Sequence, residues 1–422
     1  MRYGLYIHIP LCVRKCVYCD FCSIGLSEGR NQNSGLENKV PLALVKELDA
    51  GVKKHLRKED SITSVFIGGG TPSVVPVEDM EPLLRAIHSY VASNNAIEWT
   101  IECNPGTVDR EKLELYRRYG VNRLSIGCQS IHDEELRALG RIHTSEDFFR
   151  TYELARECGF DNINVDLMNA IPGQTLYSYE KTLKRMIELE PEHISAYSLI
   201  IEPGTLFYEK YMFHPPVDEE TDRRMYEMTC EMLETAGYIH YEVSNFARTK
   251  SSHLRADKKD SFIGHKSSIK KSYHGIDLEE STYACRHNLN YWRRGSYIGI
   301  GPSAASFYGN RGSYGTRTRR VDDVHSWLEY AETGSDTEID VEELTHENAL
   351  TETTFLGLRM REGVDLKILQ EQFGFDAKSV WGDEINQLTA NGLMENDRDH
   401  IRLTDQGLFV SDSIIDRLIR FL

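Results

Sequence analysis

The stretch Tyr6-Ile-His-Ile-Pro-Leu-Cys-Val-Arg-Lys-Cys-Val-Tyr-Cys-Asp-Phe-Cys22 decides how the chain is read. An apolar, β-branched run ends at Pro10. Three cysteines follow at once, Cys12, Cys16 and Cys19, in a C-x3-C-x2-C pattern. This spacing lets one tight loop aim three thiolates at a single point. Thiolates are soft ligands, and their natural occupants are zinc or an iron–sulfur cluster. A 4Fe-4S cluster held by three thiolates keeps one iron open for a substrate or cofactor, as catalytic metal sites keep a free position. The alternative is a structural zinc loop with Cys22 as fourth ligand. Zinc loops usually come as two paired C-x2-C units, and no second pair lies downstream.

Outward from this loop, composition bounds the answer. The chain has 422 residues, 40% of them hydrophobic, enough for more than one domain and a sizeable core. Lys plus Arg number 49 against 66 Asp plus Glu, a net charge of −17. That balance argues against a nucleic-acid partner and favours a soluble, freely diffusing protein. No apolar run approaches the length of a membrane span, and Met1-Arg-Tyr-Gly leads into a strand rather than a signal sequence. A cytoplasmic location is expected, with membrane contact only through partners. Nine cysteines in such a chain point to a reducing compartment. Cys103, Cys128, Cys158, Cys230 and Cys285 are scattered and read as small buried hydrophobes.

Strand-like and helix-like segments alternate. Strands are expected at residues 4–10, 62–68, 97–103, 123–128, 163–168 and 194–201, each followed by helical spacing. Such alternation implies a parallel sheet with helices on its faces. Periodicity does not separate a doubly wound sheet from a barrel. The polar residues at the strand ends favour the barrel, which builds its site from the loops after its strands. Gly68-Gly69-Gly70-Thr71-Pro72 follows the second strand; its glycines let a backbone approach a ligand, and their amides suit a carboxylate. Glu102 ends the third strand. Gln129, able to donate and accept, ends the fourth. Arg141 follows soon after and suits a carboxylate. Asp166 sits inside an apolar strand, where it needs a partner. Any one of these reads as a cap or surface residue; five in strand-end order read as a site.

The three-cysteine pattern, with Tyr18 just before the last cysteine, resembles the radical S-adenosylmethionine (SAM) superfamily. That resemblance implies a partial (β/α)6 barrel of the TIM type. It also implies a cluster whose open iron is chelated by SAM, which one electron cleaves to methionine and a 5′-deoxyadenosyl radical. Further motifs narrow the match: Tyr6-Ile-His-Ile-Pro, Gly68-Gly-Gly-Thr-Pro-Ser, Ser125-Ile-Gly-Cys-Gln-Ser, Ala138-Leu-Gly-Arg-Ile-His and Ile171-Pro-Gly-Gln-Thr. With Tyr241-Glu-Val-Ser-Asn-Phe-Ala, Arg286-His-Asn-Leu-Asn-Tyr-Trp292 and Tyr297-Ile-Gly-Ile-Gly-Pro, they look like the oxygen-independent coproporphyrinogen III oxidase family. The resemblance implies cluster ligation by Cys12, Cys16 and Cys19. It implies SAM contacts at Tyr6, Gly69, Gly70, Glu102, Gln129, Arg141 and Asp166.

True oxidases of that family carry a fourth cysteine in a C-x-C ending, where Phe21 stands here, and an N-terminal extension, where five residues precede Tyr6. Tyr18-Cys-Asp-Phe21 and His287-Asn-Leu-Asn-Tyr-Trp292 instead resemble the HemW-type heme chaperones. These bind heme and pass it to apoproteins, and their H-N-x-x-Y-W motif is implicated in heme binding. His287 is thus an expected heme ligand by resemblance, with Tyr291 and Trp292 against the macrocycle. By residue type alone it reads more readily as a surface or packing histidine at a helix start. The first functional expectation is a chaperone carrying cluster, SAM and heme, with heme donors and recipient apo-hemoproteins as partners. The second is an enzyme that oxidatively decarboxylates coproporphyrinogen III propionates. A heme-degrading radical SAM enzyme ranks third.

Three parts are expected: the barrel over residues 1–240, a connecting segment over 241–335, and a helical unit over 336–422. The last carries a hairpin at 393–403 and resembles a winged helix. Residues 363–394 hold more acid than base, which excludes a DNA reader and leaves a cover for the substrate opening. Three departures from the chaperone pattern stand out: Cys22, Ala305 where a histidine is usual, and an insertion at 249–283. The insertion is rich in Lys, Ser and His (His253, His265, His274). It reads as a flexible loop or as a basic arm for heme propionates.

Overall fold

The computed structural model describes residues 1–28, 33–92, 94, 96–250, 277–309 and 312–420. The insertion histidines His253, His265 and His274 lie outside the described residues. Strands β1 (Arg2–Ile9), β2 (Ser61–Gly69), β3 (Glu98–Cys103), β4 (Arg123–Gln129), β5 (Ile163–Asn169) and β6 (His193–Ser198) stand side by side in chain order. All are parallel. A doubly wound sheet reverses its order at a switch point. The unreversed order here is that of a barrel wall, as the strand-end residues predicted. Helices Leu36–His55, Val77–Val91, Arg110–Tyr119, Ser145–Glu157 and Leu176–Leu189 make the crossovers and bury their apolar faces against it. In β1, Leu5, Ile7 and Ile9 are fully buried in this layer, while Gly4 and Tyr6 lie against His287 in the barrel interior.

The wall does not close on itself. Beyond β6 come the antiparallel β8 (Asn245–Ala247) and β7 (Ile239–Glu242). Beyond β1 comes the parallel β9 (Tyr297–Ile300), then antiparallel β10 (Ala305–Tyr308), β11 (Thr316–Arg320) and β12 (Glu338–Glu343). The result is one sheet of 12 strands. The segment 241–335, read from sequence as a connection, therefore supplies strands to both sides of the barrel. These strands are short, and β11 reads Thr-Arg-Thr-Arg-Arg, so neither length nor alternation marks them.

A buried carboxylate fastens the added strands. Glu47, on helix Leu36–His55, accepts from the Gly301 amide at 2.8 Å and from Trp327 Nε1 at 3.0 Å. It also accepts from the Thr337 hydroxyl and pairs with Arg320 Nε at 3.3 Å.

The sheet's two edges are managed differently. β12 is mostly solvent-exposed and carries Glu338, Asp340, Glu342 and Glu343. β7 is covered by residues 359–361: Arg361 donates its amide to Tyr241 O at 3.0 Å, and Val243 donates to Arg359 O at 3.1 Å. The covering residues lead into a unit with its own core around Trp381, Ile385 and Leu369. Helices His346–Leu358, Leu366–Phe373 and Ala377–Ala390 are capped by Thr345, Asp365 and Asp376 side chains. They pack on a small sheet ordered β13 (Val364–Asp365), β15 (His400–Leu403), β14 (Met394–Asn396), the winged-helix arrangement expected. Among the described residues, no helix is long and apolar enough to cross a membrane.

Candidate cofactor site

The cysteine loop leaves β1 at Pro10 and returns at Ile24. Its base is fastened by a two-residue parallel ladder, Leu11–Cys12 on Ile24–Gly25. Around the ladder, Ile24, Leu26 and Ser27 donate amides to Pro10 O, Cys12 O and Val13 O at 2.7, 2.8 and 3.1 Å. The loop sits on the C-terminal ends of the strands because Gly70 allows it: a Cβ there would lie 2.7 Å from Leu11 O.

Cys12, Cys16 and Cys19 line one cavity of about 390 Å³ at these strand ends. Gly69, Gly70, Glu102, Gln129, Arg141 and Asp166 line it too, so six of the seven expected SAM contacts meet the three thiols. Burial pushes the Cys12 thiol up and the Cys19 thiol to about 11. Thiolates there need a bound cation, and Arg141 is one cationic side chain in the lining. It donates to Asn104 Oδ1 at 2.6 Å and Gly127 O at 3.2 Å and stands 3.8 Å from Cys16 Sγ. Thr71 Oγ1 donates to Cys12 Sγ at 3.5 Å. Among the described residues no three ligands are gathered to hold a single metal ion. A cluster takes its thiolates at separate corners, so this donor set fits a 4Fe-4S group rather than a zinc ion. The Cys22 thiol turns away to Asp322 O at 2.9 Å and does not line the cavity. That removes the fourth ligand a zinc loop requires.

Two carboxylates form the inner wall. Glu102, raised to about 8 chiefly by burial and then by the charge of Asp166, accepts the Gly69 amide at 3.1 Å. Asp166 is raised by burial and held by Ser125 Oγ at 3.1 Å and Asn164 Nδ2 at 2.8 Å. Gln129 ends β4 with φ of 64° at a register break, which re-aims its side chain.

Some of the expected site residues have other partners in the structure. The Gly69 and Gly70 amides are not free for a carboxylate; they donate to Glu102 and, at 2.8 Å, to Ile9 O. Tyr6 lies below the cavity rather than on its wall. Its hydroxyl bonds His8 Nδ1 at 2.9 Å, and His8 Nε2 bonds Cys22 O at 2.7 Å. His287 does not reach the cavity. It is 1% exposed, with Nδ1 on Ser64 Oγ and Nε2 on Tyr291 OH, both at 3.0 Å. Burial lowers its pKa to about 3, and it stacks on Phe66 in the barrel core. Sequence reasoning missed Thr71, Asn104 and Tyr197, which line the cavity. Thr71 and Asn104 also stand at strand ends, beside residues that were singled out.

The barrel wall, the three-cysteine loop and the polar residues at the strand ends are those of a radical SAM protein. Its superfamily profile matches residues 6–186, and a HemN C-terminal domain profile matches 344–410. The chain belongs to the HemW family. It is 33% identical over 414 residues to the protein named heme chaperone HemW in Bacillus subtilis (strain 168), covering 97% of each. To the protein of that name in Escherichia coli (strain K12) it is 37% identical over 303 residues, 71% of this chain and 69% of that one. The fold matches the structure of E. coli coproporphyrinogen III oxidase (HemN) with a TM-score of 0.78 at 21% identity, over 100% of this chain and 90% of that one.

Proposed function

We propose that this protein is a heme chaperone: it binds heme and hands it to apo-hemoproteins while holding a 4Fe-4S cluster and SAM. The observation that carries this reading is the near full-length likeness to relatives named heme chaperones. The placement of Phe21, at the cavity mouth where the oxidases continue their cysteine series, supports it. Cys12, Cys16 and Cys19 are assigned the cluster. Arg141 is assigned the SAM carboxylate, since its charge is already held between Asn104 and Gly127. Glu102 and Asp166 take hydrogen bonds from the polar side of the ligand, and Gln129 meets one of its edges. Backbone carbonyls of the glycine run, rather than the amides, receive the amino group. When bound, the cluster and SAM supply one-electron chemistry. The C-terminal unit is assigned to covering the barrel side and its ligand.

Anaerobically reconstituted protein should take up heme and pass it to an apo-hemoprotein. It should make no protoporphyrinogen from coproporphyrinogen III with SAM and reductant present. Sustained turnover in that assay would replace the chaperone by an oxidase.

A further inference from the structure

The H-N-x-x-Y-W segment points to heme, yet its histidine spends both ring nitrogens inside the barrel. Its tryptophan does not. Trp292, at the end of helix Arg286–Trp292, faces a second cavity of about 410 Å³ between this helix and the C-terminal unit. We propose that this cavity is the heme site and that His400, at the start of β15, is the iron ligand. The proposal rests on the chaperone reading above.

Four observations carry it. The volume falls in the range of small-molecule sites, roughly 300–1,000 Å³. Beside its charged and polar residues the lining has an apolar, partly aromatic part: Trp292, the buried Met360 and Ile368, the last an exposed aliphatic side chain at 40%. A flat macrocycle would cover that surface. His400 is the cavity's imidazole, with its side chain 34% exposed. Its Nε2 lies 4.0 Å from Asp365 and its Nδ1 3.9 Å from Asp397, both beyond hydrogen-bond length. Each ring nitrogen thus has a carboxylate nearby without being hydrogen-bonded to it, so one nitrogen can turn to iron while the other takes up its neighbouring carboxylate, the pairing usual for a ligating histidine.

Finally, Arg293 and Arg294 also line the cavity. Arg293 is shared between Glu279 at 2.8 Å and Glu362 at 3.0 Å, so a propionate can take one carboxylate's place. Arg294 is held by Glu352 at 3.1 Å. With Glu279, Glu352, Glu362 and Asp365 around them, the two cations leave no positive excess, so affinity here comes from the iron bond and the apolar part of the lining rather than from net charge.

The test is a titration of the full chain with hemin, followed by its Soret band. Wild type should show a low-spin, imidazole-ligated spectrum. His400→Ala should bind at least tenfold more weakly and lose that spectrum, and added imidazole should restore it. Ile368→Glu, at an exposed position that tolerates charge, should weaken binding without changing the fold; it decides the matter if His400→Ala does not fold. Wild-type affinity and spectrum in both variants would overturn the site and leave the chaperone reading standing. A wild-type chain that takes up no hemin would remove both.

Discussion

The four cysteines of the loop divide three to one. Cys12, Cys16 and Cys19 face the cavity, and Cys22 bonds a main-chain oxygen outside it. Alanine at any of the first three should abolish the cluster, read as iron and acid-labile sulfide content. Cys22→Ser should keep it. Glu102 yields a second prediction. Its carboxyl titrates near 8 in the fold and in the ordinary carboxylate range when unfolded. The fold therefore holds a proton that the unfolded chain has lost, and this contribution disappears as pH rises from about 4.5 to 8. Glu102→Gln lacks that penalty. In the absence of SAM it should gain stability relative to wild type by up to about 1.4 kcal/mol per pH unit, measured by denaturant unfolding between about pH 5 and 8. The thiols and the strand-end polar residues were legible because their chemistry is local. The fate of His287 was not: its partner Ser64 lies 223 residues earlier, and only the fold brings them together.

The six parallel strands and their helices were readable from alternation and turn residues. The strands at the flanks were not, because their stability comes from partners rather than from their own pattern. Glu47 is the clearest partner. It sits in a helix as one more acidic residue, yet it binds Gly301, Trp327, Thr337 and Arg320 across the sheet. Removing it leaves the Trp327 indole N–H and the Gly301 amide without their acceptor, and Arg320 with only the more distant Glu338 as a carboxylate. Glu47→Ala should therefore cost about 3–5 kcal/mol in equilibrium unfolding, and Glu47→Gln less, since it keeps the shape and one acceptor.

Across the whole molecule, the acidic β12 edge and the covered β7 edge keep the sheet from pairing with another copy. Deleting residues 344–422 would bare β7 and Tyr241. The shortened chain should self-associate in a concentration-dependent way, seen by light scattering. Predicting this from sequence alone was out of reach, because the cover is three residues long and contacts β7 from more than a hundred residues away. The ladder beneath the sulfur loop acts on the same scale. Zinc fingers need their ion in order to fold. Here backbone hydrogen bonds from Ile24 and Leu26 hold the base of the loop by themselves, so hydrogen exchange at those amides should be equally slow with or without iron. If oxygen strips such a nest, the harness survives, and the polypeptide can be refilled instead of being made anew.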